Sequence, residues 1–211
     1  MNIIDTIFFY TRNDYLIINS LLCNKIIQLW EVCELVNNDS IGVLKEHKDG
    51  IRTLDTDSIK RYESRIYECL DDKAKDKIIK TAQSDIINIL NVMVPTKQEI
   101  LLYRTIWQAR IGDTFNENKI NDIIEFKNIS STSTIPYMED AGRDFYRYEI
   151  IIPKNSKILE LNQFDPFIRN EDNEVLTPPM KCRIINIYNN DNPKCKGIIK
   201  VECIEQIYPN I

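Results

Sequence analysis

Through the first 95 residues, apolar positions fall at three- and four-residue steps. Leu16, Leu22, Cys23, Ile26, Ile27 and Trp30 form one stripe, which also takes in Asn19. Such spacing keeps side chains on one side of a helix with 3.6 residues per turn. Asp57 and Ser58 offer caps for a further helix carrying Ile59, Tyr62, Ile66 and Leu70. Another helix is expected from about Lys75 to Val92, and Pro95 closes the helical half. From Ile100 the period shortens. Strand-like runs are predicted at 100–107, 147–152, 157–161, 174–176, 182–188 and 197–207, separated by polar or proline-bearing turns. A short helix is expected between Tyr137 and Phe145. Neither a Gly/Ser linker nor a repeat separates the halves, so the expected architecture is a single α+β domain over 1–211. Its mainly helical part, 1–95, would pack on a β-rich part, 96–211.

Composition narrows the class. A chain of 211 residues with 43% hydrophobic residues suits one ordinary core and needs no metal staple. With 32 acidic and 27 basic side chains the net charge is -5, which gives no general attraction to nucleic-acid phosphates or anionic membranes. The six cysteines lack CxxC spacing and read as reduced core thiols. His47 is the only histidine and lies in a polar run, Lys45 to Gly50, where a solvated loop or helix end is expected. A Ser-His or Cys-His nucleophile, or a His-based metal site, would depend on that one residue, so no metal is expected. The opening Met1-Asn2-Ile3-Ile4-Asp5 lacks a basic n-region, and no apolar run approaches the length of a membrane span. A soluble, monomeric chain without a signal peptide is expected; cytoplasmic, host-cell and virion-associated settings stay open.

Three segments of the β-rich half carry the candidate chemistry: Leu102-Tyr103-Arg104, Ser131-Thr132-Ser133, and Asp172-Asn173-Glu174-Val175-Leu176. Each alone is a common feature of ordinary strands and turns. Their order resembles the Arg…Ser-Thr-Ser…Glu-x-Glu signature of the toxin-type mono-ADP-ribosyltransferases, including binary-toxin and Rho-modifying exoenzymes. Tyr148 to Lys157 resembles the family's hydrophobic strand, proline and turn, and Glu174 to Ile184 its catalytic strand and return strand. In the helical half, Tyr10-Thr11, Tyr15 and Ile18-Asn19 before Leu22 resemble the Tyr…Tyr…Ile-Asn…Leu pattern that opens the family's domain. The resemblance implies an ADP-ribosyltransferase-like fold, with N-terminal helices on a two-sheet β core, and NAD⁺ as co-substrate.

The chemistry of that reaction suits these side chains. Arg104 can form a forked, charge-assisted hydrogen bond to phosphate. Breaking an N-glycosidic bond builds oxocarbenium character on the ribose, and a carboxylate on its 2′-hydroxyl counts most as that charge develops. Glu174 is the candidate. By resemblance, Ser131 would hold the glutamate, and Thr132 and Ser133 would shape the strand beneath the nicotinamide. Asn128, Tyr10, Tyr15 and Asn19 would contact the nucleotide. Phe145, with Tyr137 as rival, would flank nicotinamide. Phe164 and Phe167 fall in the family's target-recognition loop. Asp172 stands where arginine-modifying members carry the first glutamate; it keeps the charge on a shorter side chain, which favours arginine as acceptor. Thr105 stands where many relatives have glycine. The implied activity is cleavage of NAD⁺ at the nicotinamide bond and transfer of ADP-ribose to a host or cellular protein. The acidic composition disfavours a nucleic-acid acceptor. An NAD glycohydrolase and a non-catalytic NAD-binding or protein-interaction module are the competing readings.

Overall fold

Helical spacing in the first half becomes, among the described residues, five α-helices: α1 Ile3–Phe9, α2 Tyr15–Leu22, α3 Ile26–Lys48, α4 Thr56–Arg65 and α5 Asp72–Val92. The computed structural model describes residues 3–23, 26–66, 72–107, 117–136, 143–164 and 173–209. They divide into two units, Met1–Asn91 and Val92–Asn210.

In the first unit a π-helical turn, Tyr10–Asp14, joins α1 to α2. Its core gathers Ile17, Leu29, Cys33, Val36, Ile78 and Ala82. Phe8, Phe9 and Tyr62 meet edge to face at 5.2–6.3 Å. The cap of α4 is not the expected Asp57 or Ser58. Asp55 occupies it, its Oδ1 accepting the Ser58 amide at 2.7 Å, and Ser58 is the residue whose N–H is capped. That bond, above all, holds the Asp55 carboxyl below its usual range. His47 lies at the C-terminal end of α3, where its Nδ1 accepts the Leu54 amide at 3.2 Å, in line with the helix-end reading.

The second unit holds nine strands among the described residues: β1 Val94–Pro95, β2 Ile100–Trp107, β3 Ile123–Phe126, β4 Ser130–Ser133, β5 Phe145–Ile152, β6 Lys157–Glu160, β7 Glu174–Thr177, β8 Met180–Tyr188 and β9 Cys195–Gln206. The expected runs all become strands, while β1 and β3 were not anticipated. Of the helix expected between Tyr137 and Phe145, residues up to 142 lie outside the described residues, and 143–144 are not helical.

The strand order is β1-β6-β7-β4-β2-β5-β9-β8-β3. Among the described strands only β5 and β9 run parallel. Period-2 alternation sends Leu102, Ile150, Val175, Ile184, Ile199 and Val201 into one apolar core. Where two sheets were expected, the described strands form one nine-stranded sheet with a narrow seam. β4 pairs with β7 along all four of its residues, yet it joins β2 only through Tyr103 and Ser133. Four strands on one side and five on the other therefore meet at a single residue pair. Asn155, at φ 70°, makes the left-handed turn between β5 and β6, a conformation asparagine tolerates better than most residues. The turn is fixed by Asn155 N–H to the Thr96 carbonyl at 3.0 Å and Thr96 Oγ1 to the Pro153 carbonyl at 2.9 Å.

Candidate active site

The four residues of β4 divide their work by the face on which each side chain falls. Thr132, almost fully buried, donates from Oγ1 to the Val175 carbonyl at 2.7 Å, latching β4 to β7. On the other face Ser131 is exposed, and its Oγ donates to Oε1 of half-buried Glu174 at 2.5 Å. This is a short, charge-assisted geometry. Ser133 is the ladder partner of Glu174; its Oγ accepts the Ile135 amide at 3.2 Å. Pairing continues past the strand ends through Thr134 N–H to the Asn173 carbonyl at 3.0 Å, with Thr134 Oγ1 on Asn173 Oδ1 at 3.3 Å. Glu174 is thus fixed by backbone on both flanks before its own side chain makes any contact. Asn128 sits before the strand, its Oδ1 accepting from Ser130 Oγ at 3.3 Å.

Arg104 lies on β2, one residue past the Tyr103–Ser133 pairing and opposite Tyr148 of β5. Alternation sets it on the face of Leu102 and Tyr148, whereas Tyr103 shares the face of Ser133. Arg104 on β2 and Glu174 on β7 are therefore separated by β4 and lie on opposite sheet faces, close to the single pairing between β2 and β4. Burial pushes the Tyr148 phenol above its ordinary value, and the Arg104 charge opposes that shift.

Phe145 is fully buried against Cys195 and Ile198, with the Arg147 guanidinium 5.5 Å from its ring centroid. Its surroundings are those of a core residue, because the first position of an apolar strand points into the sheet packing. Tyr137, its rival, lies outside the described residues, as do Asp172 and Phe167. Phe164 is half-buried and ends a 3₁₀ turn, Leu161–Gln163.

In the helical unit, Tyr10 is buried in the π-helical turn, its ring 6.4 Å from that of Tyr15. Asn19 of α2 holds its Oδ1 buried with no hydrogen-bond partner among the described residues. A buried ion pair, Asp14 to Arg65 at 2.6 Å, ties the π-helical turn to α4.

The sequence reading missed the polar neighbourhood of Tyr103. Glu149 is its ladder partner on β5 and accepts a hydrogen bond from Tyr188. Burial, then this bond, raise the Tyr188 phenol. Polar residues alternating with apolar ones at Tyr103, Thr105, Arg147 and Glu149 were the available signal. Among the described residues no group of three or more His, Cys, Asp or Glu side chains is placed to hold a metal, and no helix is long and apolar enough to cross a membrane.

No protein-family model matches the chain, and no curated protein matches it in sequence. Solved structures do match it. The catalytic domain of VsdC from Aeromonas hydrophila superimposes with a TM-score of 0.56 at 14% identity, over 97% of this chain and 100% of that one. The catalytic domain of VahC from Aeromonas hydrophila gives 0.56 at 15% identity, over 97% and 99%. The enzymatic component C2-I of the C2-toxin from Clostridium botulinum gives 0.51 at 14% identity; 94% of this chain is covered, and the match spans 42% of C2-I. The chain has the α+β fold of the ADP-ribosyltransferases.

Proposed function

We propose that this chain is a mono-ADP-ribosyltransferase that cleaves NAD⁺ at the nicotinamide–ribose bond and transfers ADP-ribose to a protein, with arginine as the favoured acceptor side chain. The observation that carries the reading is the 2.5 Å hydrogen bond from Ser131 Oγ to Glu174 Oε1. It orients the carboxylate that, in this reading, accepts a ribose hydroxyl. An ionised carboxylate there stabilises the positive charge that develops as the glycosidic bond opens. Nicotinamide leaves as a neutral molecule, so the step requires no proton donor. In this reading Arg104 carries the pyrophosphate. An extended substrate would reach from Arg104 on β2 to Glu174 on β7, past the narrow pairing of β2 with β4. Thr132 and Ser133 act through the strand that presents Ser131. Asn128, Tyr10, Tyr15 and Asn19 are proposed nucleotide contacts, and Phe164 and Phe167 the protein-recognition pair. Asp172 would orient the acceptor guanidinium.

The test uses NAD⁺ labelled in its adenylate half, incubated with candidate cell lysate and either wild type or Glu174→Gln. Label attached to protein by wild type and absent with the variant supports transfer. Nicotinamide release without attachment in every lysate replaces the transferase with an NAD glycohydrolase. Neither release nor NAD⁺ binding leaves a protein-interaction module on this fold.

A further inference from the structure

Five of the six cysteines lie among the described residues, and all five are free thiols. Two of them face each other. Cys182 of β8 and Cys203 of β9 are register partners in an antiparallel pair, and the Cys182 thiol donates a hydrogen bond to the Cys203 sulfur. Both belong to the core of the second unit, 0% and 4% exposed. Neither takes part in the chemistry proposed for Ser131 and Glu174. Directly opposed residues of an antiparallel pair have Cα atoms about 4.5–5.5 Å apart. That lies inside the range of roughly 4.4–6.8 Å spanned by disulfides. Next to the pair, Lys181 is in register with Glu205 and Cys182 with Cys203, so Ile204 is the extra residue of a β-bulge. A bulge bends its strand locally and gives the backbone freedom to settle around a new covalent link.

The geometry points to Cys182 and Cys203 as a dithiol that closes to a cross-strand disulfide on meeting a low-molecular-weight disulfide, making this pair a reversible thiol-modification site between β8 and β9. Cys203 is the attacking sulfur. The hydrogen bond from Cys182 holds its thiol below the usual range, whereas that same bond, with burial, pushes Cys182 up. Cys203 is also the less buried of the two. Its thiolate displaces one thiolate from the small disulfide and forms a mixed disulfide. Cys182 then gives up its proton and attacks the Cys203 sulfur, expelling the second small thiol. The two protein thiols are oxidised to one disulfide, and the small disulfide is reduced to two thiols. Burial pushes Cys33 up to about 12, which keeps that thiol protonated.

The test exposes native protein to glutathione disulfide, quenches with acid, unfolds, alkylates the remaining thiols and maps the peptides by mass spectrometry. The expected product is a single Cys182–Cys203 link, with loss of two hydrogens from the intact mass, fully reversed by dithiothreitol. A Cys203→Ser variant, checked for folding by circular dichroism, should leave Cys182 alkylated and form no link. Under conditions that close a reference dithiol peptide, three results would overturn the assignment: alkylation of both residues in wild type, a persistent glutathione adduct on Cys203 with Cys182 free, or a link joining any other pair.

Discussion

Ser131 Oγ reaches Glu174 Oε1 at 2.5 Å, although the ladder partner of Glu174 is Ser133 and that of Ser131 is Leu176. The contact is diagonal across β4 and β7, on the face that both side chains share. The Thr132–Val175 and Thr134–Asn173 bonds fix the two strands on either side of it. A slip of one residue would turn Glu174 to the opposite face.

Removing either partner of that contact should therefore separate catalysis from folding. Ser131 is exposed, so Ser131→Ala should leave the thermal midpoint nearly unchanged. It should lower kcat/KM for nicotinamide release roughly 10–100-fold, the usual worth of a hydrogen bond to a charged group. Glu174→Gln should lower it by at least about 100-fold. Equal activity of Ser131→Ala and wild type in a steady-state nicotinamide assay would remove Ser131 from the machinery.

The ion pair of the helical unit makes the opposite kind of prediction. Arg65 and Asp14 are 1% and 8% exposed at their side chains, and the Arg65 guanidinium also lies 5.1 Å from the Phe9 ring centroid. Arg65→Met would leave Asp14 charged and buried, at a cost of about 3–5 kcal/mol. The double variant Arg65→Met, Asp14→Asn should recover much of that loss, because the pair is coupled. Chemical denaturation of the four proteins measures the coupling; strict additivity would mean that the pair stabilises nothing as a pair.

Asp85 of α5 gives a pH dependence with a definite sign. Burial, despite the hydrogen bond from Thr6 Oγ1 at 3.0 Å, pushes its carboxyl up to about 6 from an ordinary value of 3.8. Between those values the folded chain binds more protons than the unfolded one. Stability from this group is full below about 4 and is lost as the pH rises through about 6. Asp14, also raised by burial and opposed by Arg65, acts in the same direction. Asp85→Asn keeps an acceptor for Thr6 and removes the charge. The variant should exceed wild type in unfolding free energy at pH 7.5 by up to about 3 kcal/mol, with the gap closing toward pH 4. A gap independent of pH in thermal melts would show that Asp85 does not titrate in this window.

What the sequence made legible follows the range of each interaction. The run 100–107 reads as a strand because its pattern is local, and β2 occupies those residues. β3 offers only Ile123-Ile124-Glu125-Phe126, too short for a period to stand out from its polar surroundings. The cap of α4 went to Asp55 although four capping residue types, Asp55, Thr56, Asp57 and Ser58, follow one another, and only the backbone decides among them. Ser131 and Glu174 are 43 residues apart, and no spacing rule links them; their association came from resemblance to a family. Arg65 and Asp14 carry no such signature, so their pairing appears only in the fold. Phe145, buried against Cys195 and Ile198, shows a related limit. An aromatic residue opening an apolar strand looks the same whether it lines a ligand or fills a core.

Arg104 is the residue whose role the architecture tests most sharply, since it faces Tyr148 rather than Ser133. If it carries the pyrophosphate, the loss on mutation should appear in substrate binding and depend on the guanidinium fork rather than on charge alone. Arg104→Lys keeps the positive charge beside Tyr148 but presents a single point donor. It should raise KM for NAD⁺ about 10–100-fold while kcat falls less, and Arg104→Met should behave like Arg104→Lys or worse. Both variants need a melting curve, because Arg104 is half-buried and truncation also removes packing. A lysine variant with the wild-type KM would mean that charge alone suffices at this position. A methionine variant with the wild-type KM would make Arg104 a structural residue of β2, and the phosphate contact would have to come from another cation.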